Sequence, residues 1–487
     1  MGHVLEKVLA DVCARWMRLR GDQVRFQIGT DEHGIKIEQT AKKEEITPRQ
    51  LVDRNVPLFR DLYKRLGISA DVFIRTSDQK VHWPTVIELW KRLQKAGALE
   101  KRTYTGLYCS GCERFVTKKE LVEGLCPDHK IPPQEVQEEN WFFRLSREQQ
   151  WLTNLLKKEY RIVPEFRAKE TLMLLESGLE DVSFSRPKSS LSWGIPVPGD
   201  EKQTMYVWCD ALTNYISGLG LLTDHEIRKY WDDAEVTHVI GKDIARFHAL
   251  IWPVMLKYAS VRTPDRLLIH GFLTSEGEKM SKTTGNVVAP DEAIGKYGVD
   301  ALRFFLSHEI PVGNDGDFSW KRFGELYNSK LRNQLGNMLN RILVLIKRES
   351  AFTMNVPAMD MQEEVGKTWN VVNEQMNGFD LHGALNAVMA LVDYCNVQMQ
   401  VRQPWELTGD ERNDILSGFA EALRHVSLLL LPFIPEAAQK ISRQLNVPYV
   451  ERMLEKDFII TKVMKEWGSE KEWKEVGEPT ILFAPVL

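Results

Sequence analysis

The chain has 487 residues, more than one core can fill since single cores rarely grow past about 250–300 residues, so two to four domains are expected. With 43% hydrophobic and 27% charged residues it is neither disordered nor fibrous, and no apolar run approaches the roughly 18 residues of a membrane span. A net charge of −4 excludes a global pull towards a polyanion, so any nucleic acid must be met by local basic surface.

In chain order, Val4, Leu5, Val8, Leu9, Val12, Cys13 and Trp16 fall on one helical face, and Gly21 closes the helix. Residues 24–28 read as a short buried strand, followed by the polar run Thr30-Asp31-Glu32-His33-Gly34. Thr47-Pro48 begins a helix that should run to Leu66 and stop at Gly67, because proline's missing N–H costs nothing in a first turn. This order predicts half of an open α/β sheet, lacking a strand before the first helix. Residues 99–187 are expected to be short irregular pieces inserted into that domain. Strands are predicted at 205–208, 238–240 and 267–269, with helices such as 243–257 between them. After about residue 325 only helical patterns remain, at 325–349, 363–376, 381–401 and 411–431. Two apolar stripes mark a bundle, one of Leu331, Leu335, Met338, Leu339, Ile342 and Ile346, the other of Leu385, Val388, Met389, Val392 and Val397. The run at 426–431 reads as a buried helix turn. The expected division is therefore 1–98 and 188–324 as two halves of one domain, 99–187 as its insertion, and 325–487 as a helical domain.

Cys109-x-x-Cys112 is followed after thirteen residues by Cys126-x-x-His129. Two ligand pairs on tight turns, three thiolates and one imidazole, suit a tetrahedral zinc ion with no position left open, hence a structural one. Gly111 and Gly124 relieve crowding at the turns. The other cysteines, Cys13, Cys209 and Cys395, sit among apolar residues and read as core filler. Glu278-Lys279-Met280-Ser281-Lys282-Thr283-Thr284-Gly285-Asn286 sets two lysines three apart on a glycine-flanked loop. They could converge on a polyphosphate, or simply be solvated. Gly2-His3 opens the first helix, where free N–H groups attract anions, though a histidine there also suits a cap. Lys321, Arg322, Lys330, Arg332, Arg341, Lys347 and Arg348 face only Glu325. That run is either a nucleic-acid surface or a solvated helix face.

The lysine loop resembles the KMSKS signature of class I aminoacyl-tRNA synthetases, with Thr283 where serine is usual. Gly2-His3-Val4 resembles the end of their HIGH signature. Gly29-Thr30-Asp31-Glu32-His33-Gly34, Tyr206-Val207-Trp208-Cys209-Asp210-Ala211, Ile240-Gly241-Lys242-Asp243-Ile244, Phe247-His248 and Leu335-Gly336-Asn337-Met338-Leu339-Asn340-Arg341 resemble the methionyl-tRNA synthetases in particular. The single cysteine–histidine knuckle is similar to their one-zinc branch. That family's sheet opens with a strand and the first signature histidine, which this sequence lacks, so a chain shortened at its start is expected.

The resemblance implies an α/β fold, with a Rossmann-like parallel-sheet catalytic domain, a zinc-knuckle insertion and an α-helical anticodon-binding bundle. It implies activation of methionine by ATP to methionyl-adenylate and transfer to the 3′ end of tRNA(Met), the initiator tRNA included. Lys279, Lys282 and His3 would be catalytic. Gly2, His3, Gly241, Asp243, His270, Gly271, Met280 and Lys282 would hold ATP with Mg²⁺. Asp31 would pair with the methionine ammonium, and Trp208, Ala211, Leu212, Tyr215, Ile244 and His248 would line the side-chain pocket, with Tyr215 or His248 meeting the sulfur. Trp208 and Ile244 equally suit plain core. Cys109, Cys112, Cys126 and His129 would bind Zn²⁺. Asn337, Arg341 and Trp405 would read the anticodon by edge contacts and stacking. Trp405 could instead close the bundle core. Enzymes for leucine, isoleucine or valine share the signatures but carry a large editing insertion, for which 99–187 is too short. A catalytically impaired, shortened relic that binds tRNA or other RNA is the alternative reading. A cytoplasmic monomer is expected.

Overall fold

The computed structural model describes residues 1–111, 114–116, 118–127, 130–223, 227–279, 288–348, 352, 360–469 and 476–486. The chain forms two compact units, one of Met1–Val24, Tyr63–Ser69 and His270–Leu487, the other of Arg25–Leu62 and Ala70–Ile269. The fold is mixed α/β with parallel strand pairs and a helical C-terminal region. Among the described residues no helix is long and apolar enough to cross a membrane.

In the first unit the Gly2–Leu19 helix buries Val4, Leu5, Val8, Leu9, Val12 and Trp16 on the expected face. The same face buries Asp11, whose carboxylate pairs with Arg303 at 2.8 Å and with Arg15 at 2.7 Å. Arg303, fully buried on the Val299–His308 helix, also donates to the carbonyls of Leu66, Pro432 and Phe433. Burying a guanidinium is tolerable only when its N–H groups are paired. Arg303 thus ties together segments of this unit that are far apart in sequence. Of the expected bundle helices, 325–349 forms as a wide π stretch at Tyr327–Gly336 followed by the α-helix Asn337–Lys347, the others form as Asp360–Asn377, Leu381–Arg402 and Gly409–Leu430, and Pro435–Leu445 adds another. All sixteen residues from Ile415 to Leu430 are buried, so the last long helix is the bundle's central rod. Val397, placed on an apolar stripe above, is exposed. The buried face runs instead through Val392, Cys395 and Met399, at helical spacing.

In the second unit Gln27–Thr30 lies parallel to Val72–Arg75. A Cβ on Gly29 would sit 2.6 Å from the Ile74 carbonyl oxygen, so the close pairing requires glycine there. A second sheet places Arg266–His270 between Thr237–Gly241 and Arg161–Val163, parallel to the latter. The Trp83–Lys95 helix buries Val86, Leu89, Trp90 and Leu93 against the core of this unit.

Four expectations need correction. Within 99–187, long antiparallel strands Leu99–Cys109 and Gln134–Phe143 pair over ten positions, from Leu99↔Phe143 to Tyr108↔Gln134. Their alternation was hidden because lysine, arginine and glutamate occupy the solvated face. The strand expected at 205–208 is Asp200–Met205, and Val207–Ser217 is helix. An apolar run alone does not separate strand from helix. The helix expected at 243–257 is a 3₁₀ turn at Lys242–Ile244, a wide π turn at Phe247–Ile251 and an α-helix at Trp252–Ala259. Pro253 lacks the N–H that would continue the ladder, and the turn before it widens. The strand expected at 24–28 lies slightly later, at Gln27–Thr30.

Candidate functional site

The Val207–Ser217 helix carries Trp208, Ala211, Leu212 and Tyr215 at i, i+3, i+4 and i+7, so all four share one face. Ala211 and Leu212 are buried, and the two aromatic rings half-buried. Trp208 stacks on Phe247 with centroids 3.9 Å apart and planes within 8°. His248 meets Trp208 edge-on at 6.1 Å. Its Nδ1 lies 2.9 Å from the Ile244 carbonyl and its Nε2 2.6 Å from the Tyr215 hydroxyl. A carbonyl only accepts, so Nδ1 carries the proton and, in the neutral ring, Nε2 accepts from Tyr215. Behind Tyr215, at 4.0 Å, lies His238, whose Nε2 accepts from Trp252 Nε1 at 3.2 Å. Burial, then the neighbouring His248, push His238 well below the usual histidine range, which keeps the His238 ring neutral.

Asp31 stands at the end of the Gln27–Thr30 strand, exposed, while Glu32, His33 and Gly34 after it are buried. Glu32 accepts from both Nε and Nη2 of Arg75, and from the hydroxyls of Thr30 and Ser77. Its own N–H donates to Thr76 Oγ1 at 2.8 Å, and Trp193 Nε1 donates to its carbonyl at 2.6 Å. His33 Nδ1 lies 2.6 Å from Asp210 Oδ2, and His82 Nε2 lies 2.7 Å from Asp210 Oδ1. Burial pushes the Asp210 carboxyl up, but the His33 and His82 rings outweigh it and hold it below the usual range. Sequence reasoning assigned roles to none of Glu32, His33, His82, Asp210 and His238. The signal available was a lone aspartate inside the apolar run 205–212.

In the other unit, Gly2 and His3 open the first helix, with His3 exposed and the Val4 and Leu5 N–H groups donating to the Met1 carbonyl. Glu6, one turn on, lies 3.8 Å from His270 Nε2 and bonds Lys7. Burial raises the Glu6 carboxyl, but Lys7 and His270 more than reverse this and hold it far below its ordinary value. Gly271 lies against the 314–315 backbone so closely that a Cβ would fall 2.0 Å from the Asn314 carbonyl oxygen. The Leu273–Ser275 strand then turns through Glu276 and Gly277, both with positive φ, into Glu278–Lys279. Lys279 is paired through its backbone with Thr274. Met280 and Lys282 lie outside the described residues. Gly241 and Asp243 belong to the second unit, at the start of the 3₁₀ turn Lys242–Ile244, with Asp243 exposed.

The family model described as "tRNA synthetases class I (M)" matches residues 1–135 and 130–343. Among curated relatives, the methionine–tRNA ligase of Caldanaerobacter subterraneus subsp. tengcongensis is 40% identical over 99% of this chain and 76% of its own length. The methionine–tRNA ligase of Brucella suis is 39% identical over 93% of this chain and 90% of its own. The chain belongs to the methionyl family of class I tRNA synthetases. Among solved structures, Mycobacterium tuberculosis methionyl-tRNA synthetase bound by methionyl-adenylate superposes with a TM-score of 0.90, at 34% identity over 99% of this chain and 96% of that one.

Two further groups expected of a methionyl-tRNA synthetase have these places. Cys109 ends its strand, and Cys126 sits in a turn whose N–H donates to Ile131 and whose carbonyl accepts from Lys130. Both cysteines are buried in one small cluster with Val116. Cys112 and His129 lie outside the described residues. In the bundle, exposed Asn337 is one helical turn before Arg341, whose guanidinium lies 5.4 Å from the centroid of the Trp405 ring. Trp405 is 37% exposed and does not close the core. Of the basic run, Arg322 pairs with Glu309, Lys330 with Asp393 and Lys347 with Glu478, which tempers it as a phosphate surface.

Proposed function

We propose that this chain is a methionine–tRNA ligase, which activates methionine with ATP and passes the methionyl group to the 3′-terminal ribose of tRNA(Met), the initiator included. The observation that carries this reading is the helix face of Trp208, Ala211, Leu212 and Tyr215, closed by Phe247 and His248, in a chain of this family. An unbranched thioether suits a slot walled by flat rings, and the Tyr215–His248 pair supplies the polar contact at its sulfur end. Apolar contacts alone separate near-isosteres by only about 1–3 kcal/mol, so that polar pair carries the discrimination.

Asp31 takes the ammonium, leaving the carboxylate free to attack the α-phosphate in line and expel pyrophosphate. Little covalent chemistry falls to the protein, which positions the groups and stabilises charge growing on the phosphates. Lys279 and Lys282 hold those phosphates and His3 assists. Gly2, Gly241, Asp243, His270, Gly271 and Met280 seat the nucleotide, which enters with Mg²⁺. Buried together, Cys109 and Cys126 are a donor pair suited to zinc, and with Cys112 and His129 they would hold one structural ion. Asn337, Arg341 and Trp405 read the anticodon. The 325–487 stretch is the anticodon-binding domain, and the protein works as a cytoplasmic monomer.

Amino-acid-dependent ATP–pyrophosphate exchange, run across a panel of amino acids, tests the assignment. Methionine alone should support fast exchange, followed by charging of tRNA(Met). Activation of valine or cysteine without methionine would overturn it, and tRNA binding with no exchange would favour an RNA-binding relic.

A further inference from the structure

We infer that His33, held by Asp210, is a positioning residue for methionine activation, which sets the distance between the Asp31 carboxylate and the thioether pocket. The inference rests on the reading of Asp31 and the pocket given above.

The Val207–Ser217 helix has two functional faces. Trp208, Ala211, Leu212 and Tyr215 form one, while Asp210, Thr213 and Ser217 lie about half a turn away and are all buried. His82 spans this second face: its Nε2 meets Asp210 and its Nδ1 lies 2.8 Å from Ser217 Oγ, two turns further along. Asp210 therefore cannot swing without breaking the His82 contact. Its second oxygen is given to His33 Nδ1, on the loop that presents Asp31. The same helix is tied to the strand before that loop, because Gln27 Nε2 donates to the Asn214 carbonyl at 2.9 Å. Gly218 leaves room for the Gln27 amide where a Cβ would overlap it.

On the loop side, the Arg75, Ser77, Thr76 and Trp193 contacts pin Glu32, so Asp31 sits between a pinned residue and the end of a strand. His33 then fixes the loop against the pocket helix. An ionised carboxylate accepts only, so His33 Nδ1 donates to Asp210, and the other nitrogen of the ring is Nε2. That nitrogen is buried and has no hydrogen-bond partner among the described residues. The rings of Trp193 and Trp83 lie 5.3 and 6.1 Å away. The bond to Asp210 is thus the one hydrogen bond the ring makes among the described residues. A site that must measure one unbranched side chain against one ammonium needs its two ends held to within a fraction of an ångström.

Exchange kinetics on the full chain test this, with methionine varied at saturating ATP and the reverse. His33→Ala should raise the methionine KM by about tenfold and leave the ATP KM within about twofold. His33→Asn, which sets an amide N–H near the Nδ1 position, should recover most of that loss. In an Asp31→Ala background, His33→Ala should add less than about twofold, because its effect runs through Asp31. Should His33→Ala lose its cooperative melt, His33→Gln carries the same expectations, since it fills the volume but moves the donor. Equal shifts for Ala and Asn, a parallel rise in ATP KM, or full additivity with Asp31→Ala would each overturn the positioning role. If Asp31→Ala itself leaves the methionine KM unchanged, the methionine-site reading fails. If only the His33 variants are silent, that reading stands and the inference falls.

Discussion

Two buried carboxylates in this molecule, Asp210 and Glu421, look alike one residue at a time and differ in what surrounds them. Each lies on a buried helix with two basic partners, and each is held below the ordinary carboxylate range. Glu421 accepts from Nε and Nη2 of Arg424, from the Gly468 N–H, and lies 3.3 Å from His425. Arg424 in turn donates to the Met464 and Glu466 carbonyls, and Trp369 Nε1 donates to His425 Nδ1. That cluster satisfies itself and ties the chain at 464–468 to the central helix of the bundle. Asp210 instead joins the Val207–Ser217 helix to the loop that carries Asp31, and its partner His33 keeps one nitrogen without a hydrogen bond among the described residues. A buried charge pair is thus no sign of function by itself. What counts is whether its partners close on one another or reach towards a group that meets substrate.

The largest effect that can break this comparison is on stability. Glu421→Ala leaves Arg424 buried without its carboxylate and should cost about 3–5 kcal/mol in urea unfolding. The methionine KM of the folded enzyme should stay within about twofold. A KM change as large as the one expected at His33 would erase the distinction between the two clusters.

Next comes acid sensitivity. Burial pushes the Glu421 carboxyl up, but the bonds from Arg424 and His425 bring it down to about 2, from an ordinary 4.5. A depressed carboxylate stabilises the fold fully above its unfolded value and loses that contribution as pH falls through its folded one. Stability worth about 3 kcal/mol should therefore disappear between roughly pH 4.5 and 2. Glu421→Gln should flatten that part of the pH–stability curve. Asp210 contributes with the same sign, so some acid dependence should survive in this variant.

Smaller effects sharpen the functional side. Trp405→Ala should lower kcat/KM for tRNA charging by about 1–3 kcal/mol of transition-state binding, the worth of one base stacked on an aromatic ring. Parallel exchange assays should place that loss on the tRNA step. Tyr215→Phe removes the donor to His248 Nε2 and should reduce discrimination between methionine and norleucine by about 1 kcal/mol, read as the ratio of exchange kcat/KM values.

Much of the fold was legible in the sequence where a period could express itself. The face of the first helix, the Pro48 helix start and the bundle helices all follow from apolar spacing and terminal signals. The long strands of 99–109 and 134–143 were hidden, because a sheet with one solvated face can carry charged residues at every second position. The 205–208 error has another source: strand and buried helix demand the same apolar residues over four positions. Motif resemblance singles out Asp31, Trp208, Tyr215 and His248 as candidates, whereas the contacts of His33, His82 and Asp210 around them have no such signal.

The sequence by itself determined the family, through signatures spread along the chain, and the apolar surfaces that had to be buried. Local spacing is enough for both, since periodicity and motif residues act within a few turns or one loop. Only the tertiary structure decided that His33 and His82 would converge on the Val207–Ser217 helix, at Asp210 and Ser217, and that Arg303 would gather Asp11, Leu66 and Phe433. Such contacts join residues more than a hundred positions apart. Their energy depends on burial and on completing every hydrogen bond, neither of which exists until the chain is folded.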